Sequence, residues 1–207
     1  QSLLGLIFNE LKEYQKAKSC FEKAIEINPK HVVALNSLAR IFIRLREYQQ
    51  AIIFLEKSIK VNSKYIEAYI NLAAIFQELK EHQKAKKYLE EAIKVNPNNS
   101  ILYNNLGIVL NLLNEYANAK NCFEKAIEIN PNYVKAINNL AIRLVGLKEY
   151  LNAKNYFEKI IKITPNFPDL YNNLGIVFNE LKEYQNALNC FEKQIKINPN
   201  HVEALNN

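Results

Sequence analysis

The sequence predicts an all-α protein built from stacked two-helix units, and two observations lead to this prediction. First, identical segments recur at fixed distances. YNNLGIV occurs at Tyr103–Val109 and again at Tyr171–Val177, whereas FEKAIEINP occurs at Phe21–Pro29 and again at Phe123–Pro131. Both distances are multiples of 34 residues, so the chain repeats every 34 residues without insertion. Second, each repeat contains two segments with the apolar period of about 3.6 residues that is typical of amphipathic helices.

The first helix of each repeat is marked by a Leu followed by a small residue, and the second helix is marked by an Ala. A large residue beside a small one lets a neighbouring helix approach closely. The small residues of the first helix are Gly5, Ala39, Ala73, Gly107, Ala141 and Gly175. The Ala column of the second helix comprises Ala17, Ala51, Ala85, Ala119, Ala153 and Ala187.

A turn and a break are predicted in each repeat. The turn reads LKEY at Leu11, Leu147 and Leu181, with close variants elsewhere. The break is a Pro, which cannot continue a helix, except where Ser63 takes its place. We therefore predict one array over 1–207, with partial units at 1–31 and 202–207. The complete units are predicted at 32–65, 66–99, 100–133, 134–167 and 168–201.

This pattern resembles the tetratricopeptide repeat (TPR) along the whole chain, since the Leu-Gly/Ala, Ala, aromatic and Pro columns recur at that family's spacing. The resemblance implies a right-handed α-α superhelix, or solenoid, in which each repeat is stabilised mainly by its neighbours. It also implies that the first helices line a concave groove and that a protein or peptide segment is the partner.

Two Asn columns are predicted to face that groove. In the segment that starts at Tyr103, the buried stripe contains Leu106, Gly107 and Leu110, and the asparagines lie on the other side of the helix. The first column contains Asn36, Asn104, Asn138, Asn172 and Asn206. The second column contains Asn71, Asn105, Asn139 and Asn173.

A primary amide offers one acceptor and two donors, so it can pair with a peptide group. Each such bond contributes only about 1 kcal/mol, and several are needed to hold a segment. The ladder is similar to the one in the repeat arm of the protein O-linked N-acetylglucosamine transferases. Two readings stay open, because the same amides could instead occupy a solvated face or brace adjacent helices.

The charge pattern and the composition argue against a nucleic-acid partner and against a membrane span. Arg40, Arg44 and Lys135 are predicted to face the groove, whereas Glu67 and Glu78 make other stretches of it acidic. This mixed pattern, with a net charge of +6, lacks the continuous basic stripe that a phosphate backbone requires, so we expect no nucleic-acid partner. No apolar run approaches the roughly 18 residues of a membrane span.

No catalytic residue, metal site or cofactor is predicted. The cysteines Cys20, Cys122 and Cys190 are separated by whole repeats, so we expect neither an intrachain disulfide nor a metal site between them. Reduced thiols fit a reducing compartment, so we expect a cytoplasmic protein. The leading functional hypothesis is a peptide-binding scaffold. The alternatives are a substrate-recruiting arm of a larger, glycosyltransferase-like enzyme and a module that associates end to end through uncapped terminal repeats.

Overall fold

The computed structural model describes residues 1–167 and 169–198, which form helices joined by short turns. The chain divides into two compact units, Gln1–Leu113 and Asn114–Asn207. Asn206, Pro199 and the predicted partial unit at 202–207 lie outside the described residues. The proposal that all repeats form one continuous array stays a prediction.

The helices follow the predicted alternation of first and second helices. The first unit contains α1 (Ser2–Glu10), α2 (Tyr14–Ile27), α3 (Val32–Arg44), α4 (Tyr48–Val61), α5 (Ile66–Glu78), α6 (His82–Val95) and α7 (Ser100–Leu112). The second unit contains α8 (Tyr116–Ile129), α9 (Val134–Gly146), α10 (Tyr150–Ile163), α11 (Leu170–Glu180) and α12 (Tyr184–Ile197). Within each unit, helices that are consecutive in the chain pack against one another.

The LKEY-type segments end the first helices with a left-handed residue. At the end of α3, the Glu47 N–H donates to the Phe42 carbonyl at 2.9 Å and the Arg46 N–H donates to the Ile43 carbonyl at 3.0 Å. This is the hydrogen-bond pattern of a Schellman motif, and Arg46 has the φ of 60° that the motif requires. The same left-handed position is occupied by Lys12, Lys80, Asn114, Lys148 and Lys182. The turn reverses the chain, so the second helix can pack on the first.

Asparagine side chains shape the breaks between repeats. The Lys64 N–H donates to Asn62 Oδ1 at 3.0 Å, and the Lys30 N–H donates to Asn28 Oδ1 at 3.0 Å. These local bonds form Asx-type turns, which reverse the chain without any contribution from Pro. The repeat in which Ser63 replaces Pro therefore keeps the same break.

The small-residue columns permit close contact between the two helices of a repeat. The Ala column of the second helices is buried throughout. A Cβ atom added to Gly5 would lie 2.8 Å from Phe21 Cε1, and one added to Gly175 would lie 2.8 Å from Phe191 Cδ1. Glycine leaves room at these two positions for a Phe ring of the second helix to rest on the backbone of the first.

Two ion pairs link successive repeats in the second unit. Lys120 Nζ lies 2.8 Å from Glu149 Oε1, and Lys154 Nζ lies 3.1 Å from Glu183 Oε1. The hydrogen bond from Lys120 lowers the pKa of Glu149, and hydrogen bonds from Asn186 and Lys154 lower the pKa of Glu183. Each pair joins a second helix to the turn of the next repeat.

We predict that Gly175→Ala destabilises the second unit by about 1–3 kcal/mol, because the new methyl group overpacks the Phe191 ring. The matched control is Gly146→Ala at the exposed end of α9, where only the Arg143 guanidinium must move. Urea unfolding should show no loss for this control and a partial recovery for Gly175→Ala/Phe191→Leu. Equal effects of Gly175→Ala and Gly146→Ala would contradict the packing account.

We predict that the ion pairs stabilise the fold at neutral pH and not in acid. A carboxylate whose pKa is lowered by folding stabilises the folded state above its unfolded-state pKa, and this contribution is lost as pH falls through the lowered value. Lys120→Met/Lys154→Met should therefore reduce the melting temperature at pH 7, with a difference from wild type that shrinks towards pH 3. Lys162→Met/Lys196→Met, which also removes two exposed lysines from the second helices, is the charge-matched control. A difference that does not change with pH would show that the pairs contribute nothing electrostatically.

Candidate binding face on the first helices

The two Asn columns have different environments. Most of the first column is buried, with exposed fractions of 4% for Asn36, 3% for Asn104 and 3% for Asn172. The second column is half-buried, and it comprises Asn71, Asn105, Asn139 and Asn173. Asn138 is also half-buried, although its Oδ1 atom is shielded from solvent. A ligand on the surface of the first helices therefore meets the second column before the first.

In the first unit, Asn36 connects two first helices. Its Oδ1 atom accepts a hydrogen bond of 2.9 Å from Asn71 Nδ2, which joins α3 to α5. Asn36 also hydrogen-bonds the Tyr65 side chain, which precedes α5. Asn36, which is almost fully buried, thus contacts both of these side chains.

Charged groups surround this pair of amides. Burial and the nearby Glu67 raise the pKa of Tyr65, whereas Arg40 and the hydrogen bond from Asn36 oppose that rise. Arg40 and Glu67 are both exposed. The surface next to Asn71 thus offers one cation and one anion to a partner.

Arg44 and Lys135, the other two predicted cations, have different settings. Arg44 Nη1 donates to the Tyr14 hydroxyl at 2.7 Å, and its guanidinium carbon lies 5.1 Å from the centre of the Tyr14 ring. Arg44 is therefore held against α2, although it stays exposed. Lys135 is exposed at the start of α9 in the second unit.

The α7 helix carries one residue of each column side by side. Asn104 Nδ2 donates to Asn105 Oδ1 at 3.4 Å, a long bond between a buried amide and a half-buried one. As in the pair formed by Asn36 and Asn71, a buried first-column amide contacts a more accessible second-column amide. A first-column amide therefore bonds a second-column amide in two places within this unit.

The corresponding face of the second unit is more apolar. Asn173 lines a cavity of about 70 Å³ together with Ile142, Val145, Phe157 and Ile176. Ile142 is 47% exposed and takes the repeat position that Arg40 has in the first unit. The two units therefore present different surfaces beside equivalent amides.

Comparisons with known proteins identify the family. Models of the tetratricopeptide repeat match residues 1–31 and 168–201, 20–53, 64–132 and 134–167. The chain belongs to the tetratricopeptide repeat family. No curated protein matches this TPR chain at a significant level.

Solved TPR structures are similar to this TPR chain over nearly its whole length. YrrB, described as a TPR protein with an unusual peptide-binding site, is 25% identical with a TM-score of 0.72, and the match covers 90% of this chain and 96% of YrrB. PilF of Pseudomonas aeruginosa is 23% identical with a TM-score of 0.85, over 99% of this chain and 93% of PilF. PilW, a type IV pilus biogenesis factor, is 18% identical with a TM-score of 0.84, over 99% of this chain and 95% of PilW. PilF and PilW show the fold alone.

These comparisons confirm the predicted all-α solenoid class and support a protein-interaction scaffold. In the part of the TPR chain that the structure describes, no group of His, Cys, Asp and Glu is arranged to hold a metal ion. Every described helix is too short or too polar to span a bilayer.

Sequence reasoning did not single out Tyr65 or the isoleucines of the second unit. Tyr65 precedes its helix, in a column that also holds His31, Asn99 and Phe167, and its bond to Asn36 depends on contact between repeats. Ile142 and Ile176 could have been found by comparing them with Arg40 at the same repeat position.

We predict that Asn36→Ala lowers the free energy of unfolding by about 1–3 kcal/mol, because it removes a buried amide that bonds both Tyr65 and Asn71. Asn173→Ala, at a half-buried position of the second column, should change it by less than about 0.5 kcal/mol. Urea unfolding of both variants measures the difference. Equal losses would mean that both columns are structural braces.

Proposed function

We propose that this TPR chain is a scaffold that holds an extended protein segment on its first helices. The second-column amides bond the main chain of the segment. The buried first-column residues Asn36, Asn104 and Asn172 act as positioning residues that orient the second column. Asn138, the half-buried member of the same column, lies next to Asn139 in α9.

The bond between Asn36 and Asn71 is the observation that carries this proposal. It uses one of the two Nδ2 protons of Asn71, and Asn71 Oδ1 makes no hydrogen bond to a described residue. The remaining N–H and the carbonyl oxygen are the donor and acceptor that a peptide group needs for a two-bond contact. Because Asn71 is already fixed, little conformational entropy is lost when a segment binds.

Neighbouring side chains favour different stretches of the segment in the two units. Exposed Arg40 and Glu67 next to Asn71 suit polar or charged residues. The cavity beside Asn173, about 70 Å³ and lined by Ile142 and Ile176, suits one small aliphatic side chain. For scale, an apolar cavity of about 150 Å³ accommodates benzene.

The likeness to YrrB also favours a peptide as the ligand class. At 25% identity over 90% of this chain, YrrB is described as having an unusual peptide-binding site. The proposal for this chain differs in its basis, since it rests on the amides and their neighbours in this sequence.

We predict that Asn105→Ala/Asn139→Ala/Asn173→Ala loses its partner while keeping its fold. Three main-chain bonds of about 1 kcal/mol each correspond to at least a tenfold loss of affinity. Affinity capture from the source cells, read by quantitative mass spectrometry, should identify proteins retained by wild type and depleted at least tenfold with the variant.

The matched control is Asn121→Ala/Asn155→Ala/Asn189→Ala, which removes three exposed asparagines from the second helices. It should retain the same proteins as wild type. Circular dichroism verifies that both variants are folded. Capture that is unaffected by the first variant would exclude the second Asn column as the binding surface.

A further inference from the structure

A second candidate binding site lies in the first unit, on the exposed side of α4 next to the loop after α2. It is a cavity of about 780 Å³, within the size range of ligand sites in proteins. Its apolar lining comes from Pro29, Ile53 and Val61. Its charged lining comes from Lys30, Lys57, Lys60 and Glu56.

The exposed aliphatic side chain of Ile53 departs from the repeat pattern. Ile53 is 55% exposed in the second helix of its repeat. The residues at the same position of the other repeats are Ser19, Lys87, Asn121, Asn155 and Asn189. None of them is aliphatic, so folding of the repeat does not require an apolar side chain at this position. Ile53 therefore adds apolar surface that its own repeat does not bury.

The charges at the cavity are predominantly positive, and the lysines that carry them are free to pair with a ligand. Lys30, Lys57 and Lys60 are exposed, and none forms an ion pair with a described residue. The single acidic residue, Glu56, accepts a hydrogen bond of 2.9 Å from the Tyr88 hydroxyl. No other repeat in the sequence combines three lysines at these positions with an aliphatic residue at the position of Ile53.

We propose that this cavity binds an acidic protein segment, with an apolar side chain against Ile53, Val61 and Pro29 and adjacent carboxylates paired with the lysines. Ile53, in the apolar lining of the cavity, is about half exposed, so a ligand bound there stays partly in solvent. This favours one side chain of a longer segment over a small molecule, because small ligands are usually buried over most of their surface. Three cations with an apolar centre complement an Asp- or Glu-rich segment that contains Leu, Ile or Phe. This site is independent of the second Asn column.

The test is selection of random 12-residue peptides displayed on phage against the wild-type chain. The selected sequences should carry an apolar residue flanked by Asp or Glu. Ile53→Asn should reduce their affinity at least tenfold, and so should Lys57→Glu/Lys60→Glu. Other repeats have these residue types at the same positions, as Asn121, Glu91 and Glu128 show, so the variants should fold. The affinity should also fall between 50 and 500 mM NaCl, because salt screens exposed charges.

Two controls separate this site from other surfaces. Lys94→Glu changes net charge on α6, away from the cavity, and should leave peptide binding unchanged. Asn105→Ala/Asn139→Ala/Asn173→Ala should also leave it unchanged, because that variant tests the other proposal.

Several outcomes would overturn the inference. One is the recovery of no acidic, apolar peptides, and another is binding that Ile53→Asn does not weaken. A third is loss of binding only with the triple Asn variant, which would assign the peptides to the first helices. The last is an Ile53-dependent association with phosphatidylglycerol vesicles in the absence of peptide binding, which would assign the cavity to a lipid surface.

Discussion

Close contact between the two helices of each repeat is the constraint on which the rest of the structure depends. Gly5 and Gly175 leave room for the rings of Phe21 and Phe191 to rest on the backbone of the preceding helix. In α1 and α11, this contact restricts how the first helix can be rotated. The amides of α11 lie within one turn of Gly175, next to this contact.

The difference between the Asn columns follows from that rotation. Adjacent residues on a helix are separated by about 100°, so two consecutive asparagines face different directions. In α11, Asn172 is 3% exposed, whereas Asn173 is half-buried. A buried amide must be hydrogen-bonded to offset its loss of water, and Asn36 satisfies this requirement with Tyr65 and Asn71. Asn36 thereby links α3 to α5 and bonds one amide of the accessible column.

The sequence was sufficient to predict the helices, their turns and the breaks between repeats, because each depends on local features with a fixed period. The left-handed position of Lys148 and the Asx-type turn at Asn62 are examples, since both involve only nearby backbone groups. The sequence could also assign the asparagines to the first helices. It could not separate a positioning amide from an accessible one, because that distinction depends on the rotation of the helix against its neighbours.

Contacts between repeats were also less predictable, because they depend on how neighbouring helices are placed and not on local sequence. To predict the bond between Asn36 and Tyr65, one must know the distance between consecutive repeats. A periodic sequence does not give that distance. Comparison of repeat positions reveals that Ile53 departs from its column, but it does not reveal a cavity beside it. Internal repetition therefore identifies which residues are unusual, and the structure determines what surrounds them.

Side-chain amide NMR of the chain during titration with a captured partner segment tests the central claim most directly. The account predicts that the NH₂ resonances of Asn105, Asn139 and Asn173 shift on binding by more than those of Asn36, Asn104 and Asn172. Shifts confined to the buried column, or to neither column, would contradict the division between positioning and binding amides.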